Sequence, residues 1–192
     1  MTAIPGPRIS YAEYLSREAV APQKNEYLRG DVFAMAGGTP EHARLQARAL
    51  VELGRLLAGR SCEPFSSDLR VRVQETDLST YPDVTVICGK LETAPDDPDA
   101  AINPVVIVEV LSDSSEAYDR GEKFAHYQRI PSLREYVLVS QRTPRIEVFR
   151  RASGRAWEYV VSGPGESVRL ASLDVELAVD AVYRTELRNP ST

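Results

Sequence analysis

Residues 104–111, PVVIVEVL, are the part of the chain that most restricts its fold. From Val105 to Leu111 the run is dense in β-branched residues, the composition of a strand covered on both faces. Glu109 stands inside it. An ionised carboxylate in an apolar interior costs several kcal/mol unless something pairs with it. The fold must therefore give Glu109 either a structural partner or something to hold.

The rest of the chain is patterned to surround such a strand. DVTVIC (83–88) is equally dense in branched residues, and EYVLVS (135–140) and RIEVFRR (145–151) read as further strands. DLRVRVQ (68–74) alternates apolar residues with Arg70 and Arg72, which predicts a half-exposed strand. Helices are expected over 10–19, capped by Ser10, and over 115–130, where Gly121 weakens the pattern and Ser112 to Ser115 supply caps. Thr39-Pro40-Glu41 is a strong helix start, and Leu45, Ala49, Leu53, Leu56 and Leu57 form an apolar stripe up to Gly59. NEYLRGDVFAMAGG reads as a hairpin turning at Arg29-Gly30-Asp31. WEYVVSG and SVRLASL are expected to close the chain as a second hairpin, followed by a helical turn in VDAVYR. LETAPDDPDAAINP (91–104), rich in acids and prolines, reads as an exposed loop.

This order predicts an α/β (α+β) fold, a mixed central sheet flanked by helices, in a single domain over 1–192 with its core at about 10–185. A length of 192 residues suits one sizeable core, and 43% hydrophobic with 27% charged residues is ordinary for a globular protein. No apolar run approaches the roughly 20 residues of a membrane span, and the N-terminus lacks a signal-peptide pattern, so the cytoplasm is the expected compartment. Cys62 and Cys88 have no CxxC spacing and are expected as two reduced, partly buried thiols. The net charge of −5 leaves no footprint for tight, non-specific nucleic-acid binding.

Three residues stand out chemically. Asp83 opens one dense strand, Glu109 lies in the next, and Lys123 sits in the helix that follows; the only other lysines are Lys24 and Lys90. If the two strands are neighbours, Asp83 and Glu109 converge on one face. Carboxylates that close repel each other unless a cation or a shared proton intervenes. Mg²⁺ takes one or two carboxylates plus water and phosphate oxygens, so the pair is a candidate site for Mg²⁺ or Mn²⁺. A nearby ammonium could position an attacking water or offset transition-state charge. Each residue also has a plainer role open to it. Asp83 could cap a strand start, Glu109 could pair with an arginine of the 68–74 strand, and Lys123 could pair with Asp119 four residues earlier. No GxSxG elbow and no phosphate-binding glycine loop is present.

PDVTVIC and NPVVIVEVLSDSSEAYDRGEKFAHYQRIPSLREYVLV resemble the Uma2 group of restriction-endonuclease-like proteins, within the PD-(D/E)xK nuclease superfamily. EYLRGDVFAMAGGTPEHARL, SSDLRVRV, RIEVFRR and WEYV extend the resemblance to residues 10–185. It implies a restriction-endonuclease-like fold with an added N-terminal hairpin and C-terminal strands, and metal-dependent hydrolysis of DNA phosphodiester bonds. Asp83 and Glu109 match the superfamily's two metal-binding acids, and Glu26 resembles an early acid that joins them. A strand carbonyl near Val110 is a further candidate ligand. The usual lysine position, two residues beyond the second acid, is Leu111 here. Related nucleases supply that lysine from the next helix, where Lys123 is the candidate. His42, in TPEH, falls where the family usually carries a histidine. Arg70, Arg72 and Arg120 are candidate phosphate contacts, and a homodimer would match the two strands of a duplex. Leu111 and the net negative charge also fit an alternative: a nuclease-fold protein that binds nucleic acid or assembles without cutting.

Overall fold

A computed structural model describes residues 6–35 and 37–185. It contains a mixed α/β architecture with two large sheets. Helix α1 (Tyr11–Glu18) begins at Ser10, whose hydroxyl accepts the Glu13 amide. Strands β1 (Asn25–Leu28) and β2 (Asp31–Ala34) form the expected hairpin. Arg29 and Gly30 both take positive φ at its tip (50° and 96°), the two-residue turn whose twist suits paired strands. Helix α2 (Pro40–Leu57) starts at Thr39 and buries Leu45, Ala49, Leu53 and Leu57, as the stripe predicts.

Next come β3 (Cys62–Ser66), β4 (Arg70–Val73), β5 (Leu78–Thr80), β6 (Val84–Cys88), β7 (Thr93–Ala94), β8 (Asp97–Ala101) and β9 (Val106–Leu111). The expected helix at 115–130 is α3 (Glu116–Tyr118), a π-helical turn (Asp119–Lys123) and α4 (Phe124–Tyr127). The chain continues through β10 (Glu135–Ser140), β11 (Ile146–Arg151), β12 (Trp157–Ser162), β13 (Ser167–Leu170), β14 (Val175–Ala178) and α5 (Val179–Tyr183). One sheet has the order β2-β1-β5-β4-β8-β7, the other β12-β11-β10-β9-β6-β3. Within the second, β9 and β10 are parallel and β6 and β9 antiparallel.

Strand β9 is buried along its whole length. Val106, Val108 and Val110 join the core beneath α2 and α5, while Ile107 and Leu111 join a second core with Phe124, Tyr127 and Tyr136. Glu109, two residues from each of these, is on the second face. Among the described residues no helix is long and apolar enough to cross a membrane.

Four expectations need correction. Cys62 and Cys88 stand opposite each other in the β3–β6 ladder and form a disulfide. Residues far apart in sequence became cross-strand partners, which spacing cannot show. The 91–104 segment is not merely an exposed loop: it holds β7 and β8, and Asp97 is buried against Arg70. The closing hairpin is β13 with β14, because β12 is taken by β11 instead. Finally, Arg70, Arg72 and Arg120 are not free to meet phosphates. They are held by Asp97, Asp77 and Glu147 at 2.9, 2.6 and 2.6 Å.

Candidate active site

The register of β6 against β9 pairs Val84 with Val108, and its continuation brings Asp83 level with Glu109. The Asp83 backbone N–H donates to Glu109 Oε2 (3.3 Å), and the Val110 N–H donates to Asp83 Oδ2 (2.7 Å). The two acids are thus locked to each other's strands. Tyr81-Pro82-Asp83 is also where the chain leaves β5 in one sheet and enters β6 in the other. From the first sheet comes Glu26, which receives the Thr80 hydroxyl on Oε1 and is 1% exposed.

Lys123 closes the group. Its ammonium lies 2.8 Å from Glu109 Oε1, 3.4 Å from Glu26 Oε1 and 3.6 Å from Asp119 Oδ1. The ion pair with Asp119 expected from helical spacing is present, but it is the longest of the three. Tyr127 donates its hydroxyl to the same Glu109 oxygen at 2.8 Å. Asp119, Lys123 and Tyr127 recur every four residues along the helix, and the π-helical turn lies between the first two. Such wide turns concentrate at functional sites. Leu111 is buried in the apolar core instead, so the strand position two beyond Glu109 serves packing.

His42 completes the group on its more accessible side. Its Nε2 is 3.2 Å from Asp83 Oδ2, and these two side chains, 18% and 13% exposed, are the most accessible members. Gln46, one turn further along α2, donates to the Asp83 carbonyl at 3.1 Å. Tyr127 and Gln46 carry no role in the sequence pattern, and Asp119 only that of a helical ion-pair partner, although the spacing of Asp119, Lys123 and Tyr127 at i, i+4 and i+8 is visible there.

The electrostatics follow from burial. Desolvation lifts the Glu109 carboxyl to about 8, even though Lys123 pulls the other way. Asp119 is likewise raised, chiefly by burial. Burial acts to lower the Lys123 ammonium, but Glu109, Glu26 and Asp119 outweigh it and hold the amine well above its ordinary value. The carboxylates around it thus favour Lys123 as a cation and hydrogen-bond donor over a base. The Asp83 hydrogen bond raises His42. With all four acids ionised, Lys123 and a charged His42 would still leave two negative charges uncompensated.

The crystal structure of a putative nuclease belonging to DUF820 from Anabaena variabilis ATCC 29413 superposes with a TM-score of 0.72, at 18% identity, over 91% of this chain and 97% of that one. That likeness shows that the two chains share a fold. The model of the Uma2 family, described as "Putative restriction endonuclease", matches residues 11–180, and the chain belongs to that family. Among its relatives are two uncharacterized proteins of Synechocystis sp. (strain PCC 6803). One, slr1290, is 34% identical over 94% of both chains. The other, sll1609, is 36% identical over 78% of this chain and 84% of its own.

Proposed function

We propose that the chain is a divalent-metal-dependent endonuclease that hydrolyses DNA phosphodiester bonds, with Asp83, Glu109, Lys123 and Glu26 as its working residues. The observation that carries this is Lys123: a buried ammonium delivered from the helix onto Glu109, beside Asp83. It occupies the functional place that Leu111 leaves vacant on the strand.

The residues fit Mg²⁺ or Mn²⁺. The donors are hard oxygens, the acids outnumber the cations, and Glu26 Oε2 is a buried oxygen with no hydrogen-bond partner. Asp83 and Glu109 would hold the ion. Among the described residues no three His, Cys, Asp or Glu side chains form a ready-made cage. The remaining positions would fall to water and phosphate oxygens, the usual habit of Mg²⁺. When bound, the ion neutralises phosphate charge and supplies a water of lowered pKa. Lys123 donates hydrogen bonds that orient the attacking water and offset the charge that develops on the phosphate. Tyr127 fixes the Glu109 carboxylate. A duplex phosphate would approach from the partly accessible Asp83–His42 side.

One observation favours the alternative of a silent nuclease-fold module that binds nucleic acid or assembles. Arg70, Arg72 and Arg120 are neutralised by the protein's own acids, so those three provide no preformed phosphate track. Nicking of supercoiled plasmid in Mg²⁺ or Mn²⁺ separates the two. The wild type should cut, and Asp83→Asn and Glu109→Gln should each lose at least about a hundredfold while keeping the native circular dichroism spectrum. Equal cleavage by either variant would remove this site from the chemistry. A two-fold dimer presenting two such sites to a duplex belongs to the same proposal, and light scattering of the purified protein reads it directly.

A further inference from the structure

The interactions around Asp83 are asymmetric. The Val110 amide and His42 Nε2 both address Oδ2, at 2.7 and 3.2 Å. Among the described residues, no hydrogen bond goes to Oδ1. The residue's carbonyl is held separately by Gln46 at 3.1 Å. His42 and Gln46 are four residues apart, hence on one face of α2, and together they grip Asp83 at its side chain and its backbone.

His42 is itself held in place. It lies in the first turn of α2, where its amide donates to Thr39 Oγ1 at 3.1 Å. Its ring rests on Gly38, where a Cβ would come within 2.8 Å of Nδ1. A side chain at position 38 would force the ring to shift. Helix α2 in turn is fixed by Leu45, Ala49, Leu53 and Leu57 in the main core. The orientation of Asp83 is thus referred back to a rigid element.

We propose that His42 is a positioning residue: it holds Asp83 Oδ2 so that the other carboxylate oxygen stays free for a divalent cation that Asp83 and Glu109 would share. Groups that orient a metal ligand in this way are typically worth about 10–100-fold in metal affinity. The inference rests on the proposed metal site, and the test keeps the two apart.

Titrating Mn²⁺ alone into the purified protein by calorimetry, with melting temperatures measured in parallel, provides that test. Asp83→Asn should abolish binding; if it binds as the wild type does, the metal site itself is wrong. With that control in place, His42→Ala should weaken Mn²⁺ binding about tenfold. His42→Gln, whose amide N–H can reach the position of Nε2, should recover most of the loss. A merely structural histidine would lower the melting temperature in both variants without this rescue. Two results overturn the positioning role while leaving the metal site standing. One is wild-type affinity in His42→Ala. The other is tighter binding there, the outcome expected if His42 were only a competing positive charge.

Discussion

Lys123 shows how far one buried charge depends on its neighbours. It is 7% exposed and has three carboxylates within 3.6 Å, so Lys123→Met would leave them without their cation. Removing one partner of such a group costs about 3–5 kcal/mol, and urea unfolding of the metal-free protein should show a loss in that range. Glu109 predicts the opposite sign. Its carboxyl is lifted from 4.5 to about 8, which means the folded state resists an ionisation that the unfolded chain undergoes readily. Its share of stability is therefore fully present below about pH 4.5 and declines as pH rises toward 8. Glu109→Gln removes that penalty and keeps an acceptor for Tyr127. The metal-free variant should melt above the wild type at pH 8, and saturating Mg²⁺ should narrow the gap by stabilising the wild type alone. A lower melting point for Glu109→Gln at pH 8 would instead mean that the attraction to Lys123 outweighs the cost of burying the charge.

Among the elements, α2 has the widest influence: it covers the main core, grips Asp83 and carries its own cap. Thr39 Oγ1 accepts the His42 amide and donates to Gln141 Oε1 at 2.9 Å, so the cap also ties the helix to the turn after β10. Thr39→Ala should lower stability by about 1 kcal/mol in urea unfolding. At the other end of this layer, β3 is an edge strand joined to β6 by the Cys62–Cys88 disulfide. Its separation of 26 residues corresponds to about 3.5 kcal/mol by loop-closure entropy. The oxidised protein should show no reaction with a thiol reagent while folded. Reduction should then expose two thiols and lower the melting temperature measurably. Two thiols found free in untreated, native protein would contradict the bridge.

Across the whole molecule, the two large sheets are each laced by ion pairs, and the acids of those pairs tie stability to pH. Arg70 holds Asp97 at 2.9 Å, with Tyr11 donating to the same carboxylate at 2.7 Å. Burial disfavours the charged form of Asp97, but these bonds outweigh it and keep the carboxyl below its usual 3.8. Glu147 behaves alike: burial raises it, and Arg120 and Tyr159 bring it below 4.5. For both groups the contribution is present above the unfolded value and is lost as pH falls through the lower folded one. Stability measured by urea unfolding should therefore fall steeply below about pH 4, and Asp97→Asn should flatten that slope.

Much of the candidate site was legible because its signals are local. A carboxylate inside a β-branched run, an acid at the start of another such run, and a lysine in a helical pattern are each readable within a few residues. The helix start at Thr39 and the hairpin at Arg29-Gly30 are legible for the same reason: capping and turn chemistry depend on immediate neighbours. What sequence spacing could not show was partnership across the fold. Asp97 looked like part of an acidic loop until β8 paired with β4 beside Arg70, and two cysteines of no recognisable spacing became opposite residues in a ladder. His42 and Gln46 gained their contacts with Asp83 only when α2 packed on β6 and β9. Glu109 itself shows the division. Its burial follows from the strand around it, a matter of local composition. Its surroundings of Lys123, Tyr127 and Asp83 come from a helix, a second strand and a crossing between sheets, brought together by the burial of apolar faces that lie mostly outside the site.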